Sequence, residues 1–327
     1  MREDSLVIGV DVGGTKVAAG LVDRSGSVLA STRRDTPDRT TTPDVVEDIM
    51  VDAVAELLDE AAGRAVLGVG VGAAGFVSGD LATVVFAPHL SWRDEPLRDR
   101  LTARLGIPVV VDNDANAAAW AEHRFGAARG EDRLLMVTLG TGIGGALVLD
   151  GRVERGRHGL AGEFGHMQVV PDGQLCECGN RGCWEQYASG KAMQRVAREL
   201  LVADSPYAAG LARFCGGDPA RVEGRHVTEA ARAGDQAAQD MVRDIARWLG
   251  VGLANLAAAL DPGTIVVGGG VSEAGDLLLL PTREAFARQL TGRGHRPVPP
   301  ILPAHLGTRA GLVGAADLLR IEVGQGG

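Results

Sequence analysis

Residues Leu6–Asp23 read as two short apolar strands joined by a polar turn, Asp11-Val12-Gly13-Gly14-Thr15-Lys16. The same order of strand, polar residue, apolar residue, glycine turn and strand returns 127 positions later, where Gly9–Asp23 aligns with Met136–Asp150. Val10 then matches Val137, Gly13 matches Gly140 and Asp23 matches Asp150. A helix-to-strand step repeats as well. An amphipathic stretch from Thr42-Pro43-Asp44 to about Ala62 leads into the apolar run Ala65–Gly72, and Asp235–Leu260 leads through Asp261-Pro262-Gly263 into Thr264–Val267. The second offset is about 199, so the second half carries an insertion of about 72 residues, mainly between Gly151 and about Arg225. Two related α/β halves facing one cleft, with the ligand held between them, is the arrangement this duplication favours. Chance likeness of two glycine hairpins is the competing explanation.

Further strands are expected at Ser27–Arg33 and Pro108–Val111, the latter followed by an Ala-rich helix. The helical stretch Ala310–Arg320 is placed to pack back on the first half. The domains are therefore expected to be discontinuous: 1–112 plus 305–327 as a small α/β domain, and 113–304 as a large one carrying a loop at about 151–190. The length of 327 residues fits two domains. A net charge of −9 disfavours a general nucleic-acid binder, and no apolar run reaches the ~18 residues of a membrane span. With no signal-peptide pattern and only four cysteines, a cytoplasmic protein is expected. Glycine numbers 47, about twice the usual share, and arginine outnumbers lysine 31 to 2. GC-rich coding drift accounts for part of that, so the positions of the glycines matter more than their number.

In a strand–Asp-x-Gly-Gly-Thr-Lys–strand turn, missing Cβ atoms let backbone N–H groups approach phosphate oxygens. Thr15 adds a hydroxyl, Lys16 a point charge, and Asp11 a carboxylate suited to Mg²⁺. Leu139-Gly140-Thr141-Gly142-Ile143-Gly144-Gly145 is the matching grip from the second half, and Gly268-Gly269-Gly270 is a third close-approach loop, placed for a nucleoside. Any one of these alone has a tight hairpin turn as its bland reading, and for a lone Gly-Gly that is the better one. None is a Walker A loop or a Rossmann fingerprint.

His166, Cys176, Cys178 and Cys183 lie in Gly-His-x₉-Cys-x-Cys-Gly-x-x-Gly-Cys-Trp-Glu. One imidazole and three thiolates make a closed tetrahedral zinc site of the structural kind. The alternative is a disulfide plus a free thiol, although Cys-x-Cys is a poor loop to close. Cys215 stands outside the cluster as an ordinary thiol. Asp112-Asn113-Asp114 follows an apolar strand, where acids at a sheet rim can accept a substrate proton; helix N-capping is the bland alternative. Glu163, His166 and Glu185 flank the cysteines and are expected in one region, as partners for a polyhydroxylated ligand. Glu185 reads equally as a solvated helix residue.

These motifs together resemble the ROK family of repressors, uncharacterised reading frames and sugar kinases. The resemblance rests on Asp11–Lys16, Asp112–Ala117, Leu139–Gly145, Gly162–His166, the Cys-x-Cys-Gly-x-x-Gly-Cys-x-Glu run, Gly268–Gly270 and the tail His305–Leu319. Phe86-Ala87-Pro88, Ser91-Trp92-Arg93 and Trp184–Gly190 look like its ATP-dependent glucokinases of the actinobacterial type.

The resemblance implies an actin-like (ribonuclease H-like) two-domain sugar kinase fold with an interdomain cleft. It implies transfer of the γ-phosphate of ATP to the 6-hydroxyl of glucose, with Asp114 as general base and substrate binding by Asn113, Asp114, Glu163, His166 and Glu185. Asp11, Gly13, Gly14, Thr15 and Lys16, with Thr138, Gly140, Thr141 and Gly142, would hold phosphates and Mg²⁺. Gly268 and Gly269 would lie near the adenosine, and Zn²⁺ on His166, Cys176, Cys178 and Cys183 would be structural. A homodimer or homotetramer is implied by resemblance alone. Other acceptor hexoses (fructose, N-acetylglucosamine, N-acetylmannosamine, allose) and a non-catalytic sugar-sensing regulator are the alternatives. Because the first hairpin begins by Leu6, a repressor with an added N-terminal DNA-binding domain is not expected.

Overall fold

The structure is a computed structural model, and residues 5–325 are described. The chain runs β1 (Leu6–Val12), β2 (Lys16–Val22), β3 (Val28–Asp35), α1 (Pro43–Glu60), β4 (Val66–Ala73), β5 (Phe76–Val77), β6 (Val84–Phe86), β7 (Arg93–Glu95), α2 (Leu97–Leu105), β8 (Val109–Asn113) and α3 (Asp114–Phe125). It continues through β9 (Arg133–Leu139), β10 (Ile143–Leu149), β11 (Arg152–Val153), α4 (Glu185–Ala188), α5 (Gly190–Val202), α6 (Ala209–Ala212), α7 (Gly224–Arg232) and α8 (Gln236–Leu260). The last elements are β12 (Thr264–Gly268), α9 (Asp276–Gln289), β13 (Ile301–Pro303) and α10 (Ala310–Gln325). Two compact units result, one holding the described residues up to Leu134 with Ala146–Gly162 and those from His305 onward, the other Leu135–Gly145 with Glu163–Ala304.

The first unit is built on a sheet of order β3-β2-β1-β4-β8. β1, β4 and β8 run parallel, and β1, β2 and β3 form an antiparallel meander. β1 is apolar at nearly every position because both its faces are covered; Val7, Ile8 and Val10 are fully buried. β3, at the edge, alternates half-buried and exposed residues as a one-sided strand must. Register places Asp11 beside Gly72, and Gly72 beside Asp112, so the two acids stand near the carboxyl ends of three parallel strands. In open α/β sheets that rim is where ligands bind.

α10 lies directly on β1 and β4. A Cβ on Gly9 would sit 1.8 Å from the Leu312 carbonyl oxygen, and one on Gly70 1.8 Å from that of Ala315. Those two glycines are therefore packing requirements rather than drift. The return of the chain is held by α3: the buried Glu122 carboxylate accepts the N–H groups of His305 (3.0 Å) and Leu306 (2.8 Å), and Trp120 Nε1 donates to Asp317 (2.9 Å). These ties group α3 with the first unit, so residues 113–134 belong there rather than with the large domain the sequence suggested.

A second sheet has the order β11-β10-β9-β12-β13, with β12 and β13 parallel, and a small third sheet is β5-β6-β7. The 25-residue α8 packs on α9 and α7. Among the described residues no helix is long and apolar enough to cross a membrane.

Candidate active site

In the first unit, the turn after β1 closes through the Gly13 N–H donating to the Lys16 carbonyl at 2.9 Å. Thr36 ties it down from outside, its hydroxyl donating to the Gly13 carbonyl (2.7 Å) and its N–H to that of Thr15 (3.1 Å). His89 abuts the same turn: a Cβ on Gly14 would be 2.5 Å from the His89 Cβ. Burial pushes the Asp11 carboxyl above its usual range, and the Lys16 ammonium opposes this. Burial disfavours the charged carboxylate there, and a bound cation would favour it.

The junction of β8 and α3 carries Asp112, Asn113 and Asp114, and the structure separates their roles. Asn113 is the N-cap of α3, its side-chain oxygen accepting from the N–H groups of Ala115 (2.8 Å) and Asn116 (3.1 Å). Its amide donates to the Gly75 carbonyl (3.0 Å), which aims the residue. Asp112 is 2% exposed and fully engaged: it accepts from Arg155 Nε (2.9 Å), Asn116 Nδ2 (2.9 Å) and the Asn113 N–H (2.8 Å). Asp112 is thus a scaffold acid paired with Arg155, while half-buried Asp114 stands at the first helical position, where the α3 macrodipole favours negative charge. Neither acid is the cap. Nothing in the local sequence pointed to Arg155, 43 positions from its partner.

In the second unit, the ligand atoms of His166, Cys176, Cys178 and Cys183 all lie within 4.8 Å of one another. The Cys178 and Cys183 sulfurs are 3.6 Å apart, and Cys176 Sγ is 3.7 Å from His166 Nδ1. A disulfide needs about 2.05 Å, so the disulfide alternative falls, and all four cysteines are free thiols. Tetrahedral zinc with Zn–S near 2.3 Å requires edges of about 3.8 Å. The donor set fits that ion in both chemistry and spacing.

His166 joins this cluster to two carboxylates. Its Nδ1 is 3.8 Å from Glu185 Oε1, and its Nε2 is 3.9 Å from Glu163 Oε2. Glu185 begins α4 and also reaches the second glycine hairpin, since a Cβ on Gly142 would meet Glu185 Oε2 at 2.5 Å. Glu163, His166 and Glu185 therefore share one region, as their spacing suggested. Burial pushes the Glu163 carboxyl above its usual range, with His166 opposing and Glu185 reinforcing.

Beside them is a cavity of about 480 Å³ whose lining includes Gly140, Thr141, Gly190, Lys191, Gly224 and Gly270. Two of the three glycine loops thus meet within this unit. Gly269 has φ +84°, and a Cβ there would strike the Leu139 carbonyl at 2.4 Å, so the third loop crosses the backbone of the second hairpin. Gly268 packs instead on Ala304 and Met136; of the second hairpin and third loop, Gly140, Thr141 and Gly270 line the cavity, and Thr138, Gly142, Gly268 and Gly269 do not. No motif of the sequence points to Lys191; its rarity, as one of two lysines in the chain, is the signal that marks it.

Comparison with known proteins extends these motifs along the chain. A glucokinase of Streptomyces coelicolor is 49% identical over 316 residues, covering 96% of this chain and 98% of that protein. A glucokinase of Thermotoga maritima is 36% identical over 330 residues, covering 97% and 98%. Among solved structures, a ROK family glucokinase from Streptomyces griseus in complex with glucose and AMPPNP superposes with a TM-score of 0.88 at 51% identity, covering 97% of this chain and 99% of that one. The sequence model of the ROK family matches residues 7–322, a span that takes in both glycine hairpins, the Asn113-Asp114 junction and the cysteine loop, and the chain belongs to that family.

Proposed function

We propose that the chain is a glucokinase transferring the γ-phosphate of ATP to the 6-hydroxyl of glucose. The observation that carries this is the fixed Asn113-Asp114 junction, together with near full-length similarity to glucokinases. Asp114 accepts the hydroxyl proton as the sugar oxygen forms its bond to the γ-phosphorus. The bond from that phosphorus to the bridging oxygen breaks, and ADP leaves with the electron pair. Asn113, Glu163, His166 and Glu185 hold the remaining sugar hydroxyls; His166 offers Nε2 for this because Nδ1 faces the cysteines. Phosphates would be gripped by Asp11–Lys16 and by Thr138–Gly142, and the adenosine would enter the cavity bounded by Gly270, the residue that follows Gly268 and Gly269 in the third loop.

Mg²⁺ on Asp11, directly or through water, would neutralise charge on the phosphates. Zn²⁺ on His166, Cys176, Cys178 and Cys183 would fix the loop that carries Glu185. A cytoplasmic homodimer or homotetramer that binds neither nucleic acid nor membrane belongs to the same reading.

A coupled assay across sugars and donors tests the proposal. Glucose with ATP is expected to exceed fructose, N-acetylglucosamine, N-acetylmannosamine and allose by at least about tenfold in kcat/KM. Faster turnover of another hexose, or turnover with polyphosphate and none with ATP, would overturn it.

Asp11 gives a second test, in which stability and activity move apart. Its folded-state pKa is raised by burial, so the stability it contributes is present at low pH and is lost as pH rises from about 4 through the raised value. Above that range the buried carboxyl is a net cost to the fold. Asp11→Asn is expected to keep Tm or raise it by about 2–4 °C while turnover falls at least about 100-fold. A variant that melts well below the parent, or one that retains activity, would contradict this role.

A further inference from the structure

Alignment of the two halves leaves the second hairpin without the lysine of the first: Lys16 corresponds to Ile143. The fold brings a lysine to that hairpin from elsewhere. α5 begins against it, the Gly190 N–H donating to the Gly140 carbonyl (2.9 Å) and the Lys191 N–H to the Thr141 carbonyl (3.2 Å). Both lysines of a chain with 31 arginines therefore stand at a Gly/Thr hairpin.

The first turn of α5 has its backbone donors engaged. Besides the two hairpin bonds, the Ala192 N–H donates to the Ser189 hydroxyl (3.2 Å). What remains there for an anion is the Lys191 ammonium, at the edge of the cavity. Its partner is Glu177, 2.8 Å away, which sits between the zinc-type ligands Cys176 and Cys178 and outside the cavity lining. Lys191 and Glu177 are 43% and 67% exposed, so this ion pair is weakly held and readily exchanged. Of the other cations lining the cavity, Arg232 donates to the Glu273 carbonyl, and Arg225 pairs with Glu223 (2.9 Å), a lining residue, so that pair leaves its acid within the cavity, where an anion would meet it.

We propose that Lys191 is a phosphate-binding residue of this chain, exchanging its resting partner Glu177 for the phosphates of a nucleotide in the adjoining cavity. The inference rests on the nucleotide reading of that cavity. A compact ammonium with three donors suits a mobile polyphosphate tail. Glu177 competes for the same charge, so the metal loop restrains nucleotide binding through it.

Calorimetric binding of ADP and of adenosine to the full-length protein tests this. Lys191→Ala is expected to weaken ADP binding about fivefold to tenfold and leave adenosine binding unchanged, with Lys191→Arg restoring most of the loss. Glu177→Gln is expected to tighten ADP binding about twofold at an unchanged metal content. Wild-type ADP affinity in Lys191→Ala, or equal loss for ADP and adenosine, would overturn the phosphate role, and weaker ADP binding in Glu177→Gln would overturn the exchange. If the wild-type protein binds neither ligand, the nucleotide reading of the cavity itself fails.

Discussion

Asp114→Ala is expected to lower kcat by about 10³-fold while the Kd for glucose changes less than about threefold. The base acts on a proton that leaves only as the phosphoryl group transfers, so its loss falls on turnover rather than on ground-state binding. Asp114→Asn, which keeps shape without basicity, is expected to be as inactive. Both variants should fold, because the cap of α3 is Asn113, while Asp114 adds a favourable first-turn charge, about 0.3–1 kcal/mol, and accepts the Ala115 N–H (2.9 Å) that Asn113 also holds. Asn113→Ala is the contrasting variant: it removes two accepted N–H bonds and the tie to Gly75, and should cost stability as well as activity. Near-parental kcat in Asp114→Ala, measured beside its Tm and glucose affinity, would remove Asp114 from the role of base.

Loss of the metal should have the second large effect. Elemental analysis of the wild-type protein is expected to find about one zinc per chain, and Cys178→Ser should find close to none. Cys178 is the exposed ligand, so its change removes a donor with little loss of packing. The backbone bonds of the loop run mostly within it, such as the Cys176 N–H to the Asn180 carbonyl (2.8 Å) and the Gly182 N–H to the Gln174 carbonyl (2.8 Å), beside the bridges Gln168 with Cys183 and Leu175 with Arg181. Trp184 follows directly, 0% exposed, its indole N–H donating to the Trp248 carbonyl at 2.8 Å. Demetallation should therefore lower Tm by more than about 10 °C, shift tryptophan fluorescence to the red, and raise KM for glucose as Glu185 loses its place. A zinc-free wild-type protein, or Cys178→Ser with parental Tm and fluorescence, would show that the cluster holds no structural metal.

Much of the fold follows from local chemistry. β1, β4, β8, β12, α1, α3 and α8 lie within a few residues of where apolar periodicity, Pro43 and the Asp261-Pro262-Gly263 stop place them. The cysteine cluster was also legible, because four soft donors with turn glycines between them have few other uses. The roles of Asp112 and Asp114 were not. Both read as rim acids or caps, and only the arrival of Arg155 makes one a buried scaffold and leaves the other at the helix start. The grouping of α3 was equally hidden, since the Glu122 and Trp120 contacts that decide it lie 183 to 197 positions away.

By itself, then, the sequence determined the secondary elements just named, the duplicated glycine hairpins and the four-donor cluster, because each depends on neighbours close along the chain. Only the tertiary structure decided which glycines admit a helix against the sheet, which acid near the rim is neutralised, and that a lysine from α5 reaches the hairpin that lacks one. Those outcomes depend on distance in space between residues far apart along the chain, and periodicity and turn chemistry carry no information about that distance.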